Sequence, residues 1–470
     1  MKPIFVRKTI NKGDITINIL DIYKRAKSGQ SIGQEQFDFD VVFTTATMLS
    51  EKYGIKYDPN NPVPADNDLA DRVFQAGVEF FSKVGVYCTD THKVIRFSDD
   101  EINEALSNIK ENCKIGEGKD QYIFRSRYPD SAIKTWYHVG SGIMNTDERI
   151  AFNLVSSYAN IPQTNSISAP ALININGQQI LSDTPSEIYG AIRSIRIARE
   201  ATRHSGRSGL GICNCISTAG SDVGTISASA SQFGLRPSDG WLIAILSEMK
   251  INMSSMNKLA YLANWGANVA AECGPLLGGF AGGPAETAII AVASLILGVI
   301  AFQCDYYLCF PISIAHGCST NRQAIWSSAV GAQAISRNTK LPVLYLGYVA
   351  SGPMTKQFFY ETLAYVATVI SSGVSAQTTH PVKAVLNDYV TPLEMLGSVR
   401  LTESCVGMNR IEANEIVKEL LSKYENNLKN APIGVKYQDC YDINTNEPCQ
   451  EYMDLFNEVI DELRKINIRL

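Results

Sequence analysis

From about Trp136 onward the chain alternates short runs of small and apolar residues with long stretches of helical spacing. That rhythm restricts its fold more than any other feature. The short runs are TWYHVGSG, TNSISAPALI, GLGICNCIS, AECGPLLGGFAG, YYLCFPISIAH, PVLYLGYVASG and SSGVSAQTT. Helical stretches between them include Ser186 to Arg203, Ala285 to Phe302, Asn321 to Arg337 and Thr355 to Ser371. Runs that are apolar at nearly every position, not at alternate ones, suit parallel strands covered on both faces. Seven runs, with a less clear eighth near Ile251 to Met256, predict an α/β fold closed into a (β/α)8 TIM barrel. An open doubly wound sheet is the alternative.

The chain has 470 residues, more than the roughly 250 of a barrel alone. Residues 1–130 are expected to form an N-terminal extension packed on the barrel, 131–400 the barrel, and 401–470 a C-terminal helical segment. In the extension, Tyr57 to Asp66 is dense in Pro, Asn and Asp and reads as a loop. Asn67 to Lys83 has helical spacing of Leu69, Val73, Phe74, Val78 and Phe81. VGVYCTDTHKVIRFS then reads as a hairpin, and Ser98 opens a helix with Asp99, Asp100 and Glu101 in its first turn. At the other end, Ile411 to Lys429 and Met453 to Ile466 read as amphipathic helices around an irregular connector.

A net charge of −5 argues against nucleic-acid binding, which normally needs a basic stripe. The N-terminus has no long apolar segment of the kind a signal peptide carries. The most apolar stretch, Thr287 to Phe302, is 16 residues and falls short of the ~20 that span a bilayer. No membrane association is expected, and the location is expected to be cytoplasmic. Eleven scattered cysteines with no C-x-x-C pair read as reduced thiols, with no zinc motif among them.

Known phosphate-loop, metalloprotease and nucleophile-elbow patterns are missing from the sequence. GRSGLG (Gly206 to Gly211) leads into a strand and GGFAGG (Gly278 to Gly283) lacks a downstream acidic partner, so neither is a dinucleotide fingerprint. Close backbone approach at strand ends is the preferred reading. His138, His316 and His380 each sit at or just beyond a strand run. Hydrogen-bonded structural roles are preferred for them over ligation or acid–base work, and no metal site is expected. Glu272 lies among apolar and small residues in VAAECGPLLGG. A carboxylate there serves either a buried salt bridge or cap, or a cationic substrate.

Long segments then converge on one family. GVYCTDTHKVIRFSDDEI (Gly85 to Ile102), GRSGLGIC (Gly206 to Cys213), GGFAGGPAET (Gly278 to Thr287) and APIGVKYQDCYDINTNEP with EYM after it (Ala431 to Met453) resemble monomethylamine methyltransferase of methylotrophic methanogens. The resemblance runs in order from about Asp21 to the C-terminus. It implies a (β/α)8 barrel in a homo-oligomer, a hexamer in that family. It also implies transfer of a methyl group from a small methylated amine to the Co(I) of a separate corrinoid protein. No cofactor would be bound by the chain itself; the corrinoid would be carried by the partner.

The family's hallmark is pyrrolysine, whose imine captures the amine. That position falls on Cys213, and a thiol offers no imine. One family glutamate falls on Leu242, the second on Glu272; the glutamine falls on Leu346 and the tyrosine on Tyr348. The resemblance thus makes Glu272, Tyr348 and Cys213 the candidate catalytic residues, with Leu242, Leu346 and Trp241 as candidate substrate contacts; Tyr345 is a further aromatic candidate. An apolar pocket with one carboxylate suits a permanently cationic amine. Cys213 has three readings: a small filler, a reactive thiolate, or with Cys215 a soft-metal pair. The expected activity is a corrinoid-dependent amine methyltransferase that works without pyrrolysine. The alternative is an inactive relative that binds the corrinoid protein or an active paralogue.

Overall fold

The computed structural model describes residues 17–213, 220–466 and 468. Eight parallel strands run β1 (His138–Val139), β2 (Ser166–Ser168), β3 (Gly211–Cys213), β4 (Gly240–Ile245), β5 (Asn268–Cys273), β6 (Tyr306–Cys309), β7 (Val343–Tyr345) and β8 (Ser375–Ala376). Each is followed by a helix: α1 (Glu148–Asn160), α2 (Pro185–His204), α3 (Asp222–Ala228), α4 (Met253–Trp265), α5 (Pro284–Ile300), α6 (Arg322–Asn338), α7 (Lys356–Ser371) and α8 (Pro392–Ser404).

The strands form two arcs, β1-β2-β3 and β4-β5-β6-β7-β8, each in sequence order. A parallel bridge between His138 and Gln377 joins β8 back to β1. On the other side β3 and β4 run side by side. There Asp239, fully buried, accepts from the Ile212 and Arg236 amides, each at 2.8 Å, and pairs with the buried Arg199 guanidinium. The result is a closed (β/α)8 barrel.

The expected eighth strand is corrected. Residues 253–265 are helix α4, begun by the Asn252 side chain accepting from the Ser255 amide. Lys250–Ile251 pairs outside the barrel, with Tyr87–Cys88 of the N-terminal hairpin. The missing barrel strand is β4, GWLIAI, whose apolar residues fill both of its faces.

The expected extension elements form where their local chemistry places them. The helix at Asn67–Val84 packs on α5 and α6, and the hairpin pairs Val86–Cys88 with Lys93–Ile95. Ser98 and Glu101 make a reciprocal capping box at the head of Asp99–Ser107. Helix α5 carries the most apolar stretch of the chain and is buried along its length. No helix among the described residues is long and apolar enough to cross a membrane.

A second hairpin, Asn112–Ile115 with Tyr122–Arg125, closes the N-terminal end of the barrel. The GRSGLG segment meets it with no room for side chains: a Cβ at Gly209 would lie 2.2 Å from the Glu117 carbonyl oxygen, and one at Gly211 2.3 Å from Ile115. This segment serves backbone packing, as the sequence suggested.

Candidate active site

Alternation along each strand decides what faces the lumen. On the floor, Cys113, Ile115 and Phe124 of the closing hairpin pack against Trp136, Cys213 and Tyr306. Above them lie Leu242, Ala270, Leu308 and Leu344, and higher still Leu346, Phe310 and Tyr348. The lumen is therefore mostly apolar and aromatic, with a few polar side chains set into it.

Glu272 is the sole acid among the lumen residues of β4 to β7. Its strand neighbours are Ala244 on β4 and Leu308 on β6, and its carboxylate makes no hydrogen bond or ion pair with any described residue. Burial pushes its carboxyl up to about 7; Lys258, on α4, opposes that shift. Lys258 is itself occupied by Asp222, at 2.5 Å. Tyr348 sits edge-to-face with Phe310 (centroids 5.5 Å apart) and with His380 (5.2 Å). Burial and the nearby Glu272 charge keep its hydroxyl protonated.

Opposite, just beyond β8 and on β1, are Gln377 and His380, and His138, all buried. His138 is held by Ser166 at 2.8 Å and Ser168 at 3.1 Å, and burial pulls its ring down to about 3. It is a neutral, fully bonded structural histidine. His316 lies apart, in the loop after β6, within 3.3 Å of the Ser313 hydroxyl.

A sequence profile of the monomethylamine methyltransferase MtmB family matches residues 17–468. The chain belongs to the MtmB family. Its relatives include monomethylamine methyltransferase MtmB1 of Methanosarcina barkeri, 28% identical over 451 residues that cover 95% of this chain and 97% of that one. MtmB2 of Methanosarcina acetivorans is 29% identical over 454 residues, again 95% and 97% of the two chains. The crystal structure of the Methanosarcina barkeri enzyme superposes with a TM-score of 0.92 at 27% identity, covering 96% of this chain and 98% of that one. The structure of an MtmB complex with hydroxylamine matches equally well.

Within this MtmB-family barrel, five of the six candidate site residues face the lumen: Cys213, Leu242, Glu272, Leu346 and Tyr348. The sixth, Trp241, is corrected. It is one residue out of phase with Leu242 and points outward, donating from Nε1 to the Ser229 hydroxyl at 2.9 Å and packing on Trp265. Tyr345 is outward too, in the helix-facing layer with Tyr365 and Cys309.

Cys213 lies on the floor, fully buried, against Tyr306 and Ser166, and a Cβ on Gly240 would approach its sulfur to 2.9 Å. Burial pushes its thiol well above the ordinary range. Burial favours its protonated form, which supports the filler reading over a reactive thiolate. Cys215 lies outside the described residues, and among the described residues no cluster of three metal-ligating side chains forms. Cys213→Ala is accordingly expected to leave methyl transfer within about twofold of wild type, and iodoacetamide to leave Cys213 unlabelled in the folded chain; peptide mass mapping checks the second point.

Sequence reasoning missed Gln377 and left His380 as merely structural. The signal was present in SSGVSAQTTH: Gln377 stands two residues beyond Ser375, so it shares that residue's inward face.

Proposed function

We propose that the chain moves a methyl group from a permanently cationic methylated amine to the Co(I) centre of a separate corrinoid protein, without pyrrolysine. Membership of the MtmB family supports methyl transfer from a methylated amine. The observation that carries the finer reading is Glu272, a carboxylate without a partner among the described residues in a lumen walled by leucines and aromatic rings. A quaternary nitrogen has no N–H to donate, so it is held by negative charge and aromatic faces, which Glu272, Tyr348 and Phe310 provide.

The leaving group explains why no imine is needed. When a methyl leaves a quaternary ammonium, the electrons of the broken N–C bond stay on nitrogen and a neutral amine departs. Methylamine must first be bound and charged before it departs as well. The corrinoid supplies the nucleophile. The chain's residues bind the cation at Glu272, orient it beside the protonated Tyr348 hydroxyl and exclude water with Leu242 and Leu346.

The test is appearance of the demethylated amine, followed by NMR, when a Co(I) corrinoid protein and quaternary amines are supplied. No demethylation with any of them would leave the inert-relative reading, for which the loss of the family electrophile at Cys213 speaks. Binding also carries a pH signature. Tetramethylammonium keeps its charge at every pH, so its affinity should rise as Glu272 loses its proton through about pH 7, with the midpoint shifting lower as ligand saturates. Calorimetric affinities that stay flat from pH 5.5 to 8.5 would remove Glu272 from the binding site.

A further inference from the structure

The Asn112–Arg125 hairpin closes one end of the barrel, so a reaction partner reaches Glu272 through the loops beyond the C-terminal ends of the strands. Three of those loops are tied together. The Ser319 amide, after β6, donates to the Tyr348 carbonyl at 2.8 Å, and the Val349 amide, after β7, to the His380 carbonyl at 3.0 Å. In the loop after β8, Val382, Lys383 and Ala384 lie at φ 43°, 58° and 57°, three consecutive non-glycine residues in the left-handed region. The Ser351 and Val349 carbonyls hold the first two amides, at 2.9 and 2.8 Å. Strain of this kind persists where the surroundings impose it, and it clusters at functional sites.

The strained turn determines what the rim presents. Val385 stands 71% exposed, and the Lys383 side chain lies over Gly317 of the β6 loop, where a Cβ would come 3.2 Å from its Cδ. Ile314 of the β6 loop is exposed as well, and so is Ile433, whose backbone packs against Gly352 of the β7 loop. Burial, and then the charges of Lys429 and Lys383, pull the His316 ring below its ordinary value, so both ammonium groups act on this loop. Glu425, the acid that His316 senses, is taken by Arg322 at 2.7 Å. Neither lysine has an ion-pair partner among the described residues. Cations without partners beside exposed apolar side chains complement a partner surface that carries acids around an apolar centre.

We propose that this part of the rim is where the corrinoid protein docks, setting carboxylates against Lys383 and Lys429 and an apolar strip against Ile314, Val385 and Ile433. This rests on the methyl-transfer reading above, which supplies the partner.

The test is the rate of methyl transfer by the full chain as the concentration of a Co(I) corrinoid protein is varied at saturating quaternary amine. The double variant Lys383→Glu, Lys429→Glu and the separate variant Val385→Asp should each raise KM for the corrinoid protein by about tenfold or more, with calorimetric affinity for the amine within about twofold of wild type. The wild-type KM should also climb between about 0.05 and 0.3 M salt, and that of the double variant much less. A KM that stays at the wild-type value in both variants would overturn the proposal. So would a changed sedimentation of the double variant at unchanged KM, which would make the patch a contact between copies of the chain. If the wild-type chain methylates no corrinoid protein, methyl transfer falls and calorimetric binding of that protein decides the surface: weaker binding by both variants supports it, and equal or absent binding overturns it.

Discussion

Glu272→Gln is expected to raise the melting temperature of the chain while lowering kcat/KM for methyl transfer by about thirtyfold or more. Function suffers because the cation loses the one anionic partner in an apolar lumen; removing such a partner from a desolvated charge pair costs roughly 2–5 kcal/mol, and each ~1.4 kcal/mol is a factor of ten. Stability gains because the carboxylate has no partner among the described residues to offset its burial. The sign is fixed by linkage. The folded chain holds the Glu272 proton up to about pH 7, whereas an unfolded chain releases it near 4.3. Its contribution to stability is therefore present at low pH and is lost as pH rises through that window. At pH 8 the glutamine variant should be about 1–3 kcal/mol more stable than wild type, and at pH 4 the two should converge. Thermal melts at both pH values, with kcat/KM beside them, check the pair of effects. A variant that loses both stability and activity would mean that Glu272 is a structural anchor.

The largest loss of stability is expected from Asp239→Ala. This carboxylate lies fully buried between β3 and β4, with the Ile212 amide, the Arg236 amide and the Arg199 guanidinium on it. Removing it leaves Arg199 charged and buried without its partner, an effect of about 3–5 kcal/mol. Chemical denaturation should show the loss, with a midpoint shift at unchanged slope. Replacing Arg199 and Asp239 together, by Met and Leu, should recover much of it, since the penalty belongs to the orphaned charge. Because β3 carries Cys213 and β4 carries Leu242, loosening this seam should also weaken amine binding. A fully stable Asp239→Ala chain would show that the ladder contacts of the two arcs suffice to close the barrel.

Much of this architecture is readable from the residues. The alternation of apolar runs with helical spacing carries the barrel, and the Ser98 and Glu101 pair carries a helix start that the structure reproduces atom by atom. Strand direction was harder to read. In a strand buried on both faces the apolar pattern has no period, so nothing in GWLIAI says which of Trp241 and Leu242 faces the lumen. The same ambiguity hid β4 and left the direction of Tyr345 open. Glu272 was legible because an acid in an apolar run needs a reason. Gln377 was not, because a polar residue in SAQTTH looks like any loop residue until β8 is paired with β1. The floor position of Cys213 depends on the closing hairpin, which belongs to a distant part of the chain.

Methyl transfer from a permanently cationic amine without an imine is read most directly from the absorbance of a corrinoid protein held as Co(I), mixed with this chain and a quaternary methylamine. Conversion to the methyl-cobalt spectrum is expected in proportion to the demethylated amine released, with Glu272→Gln at least about thirtyfold slower and Cys213→Ala unchanged. A Co(I) spectrum that persists with every quaternary amine tried, or conversion that is lost with Cys213→Ala, would contradict it.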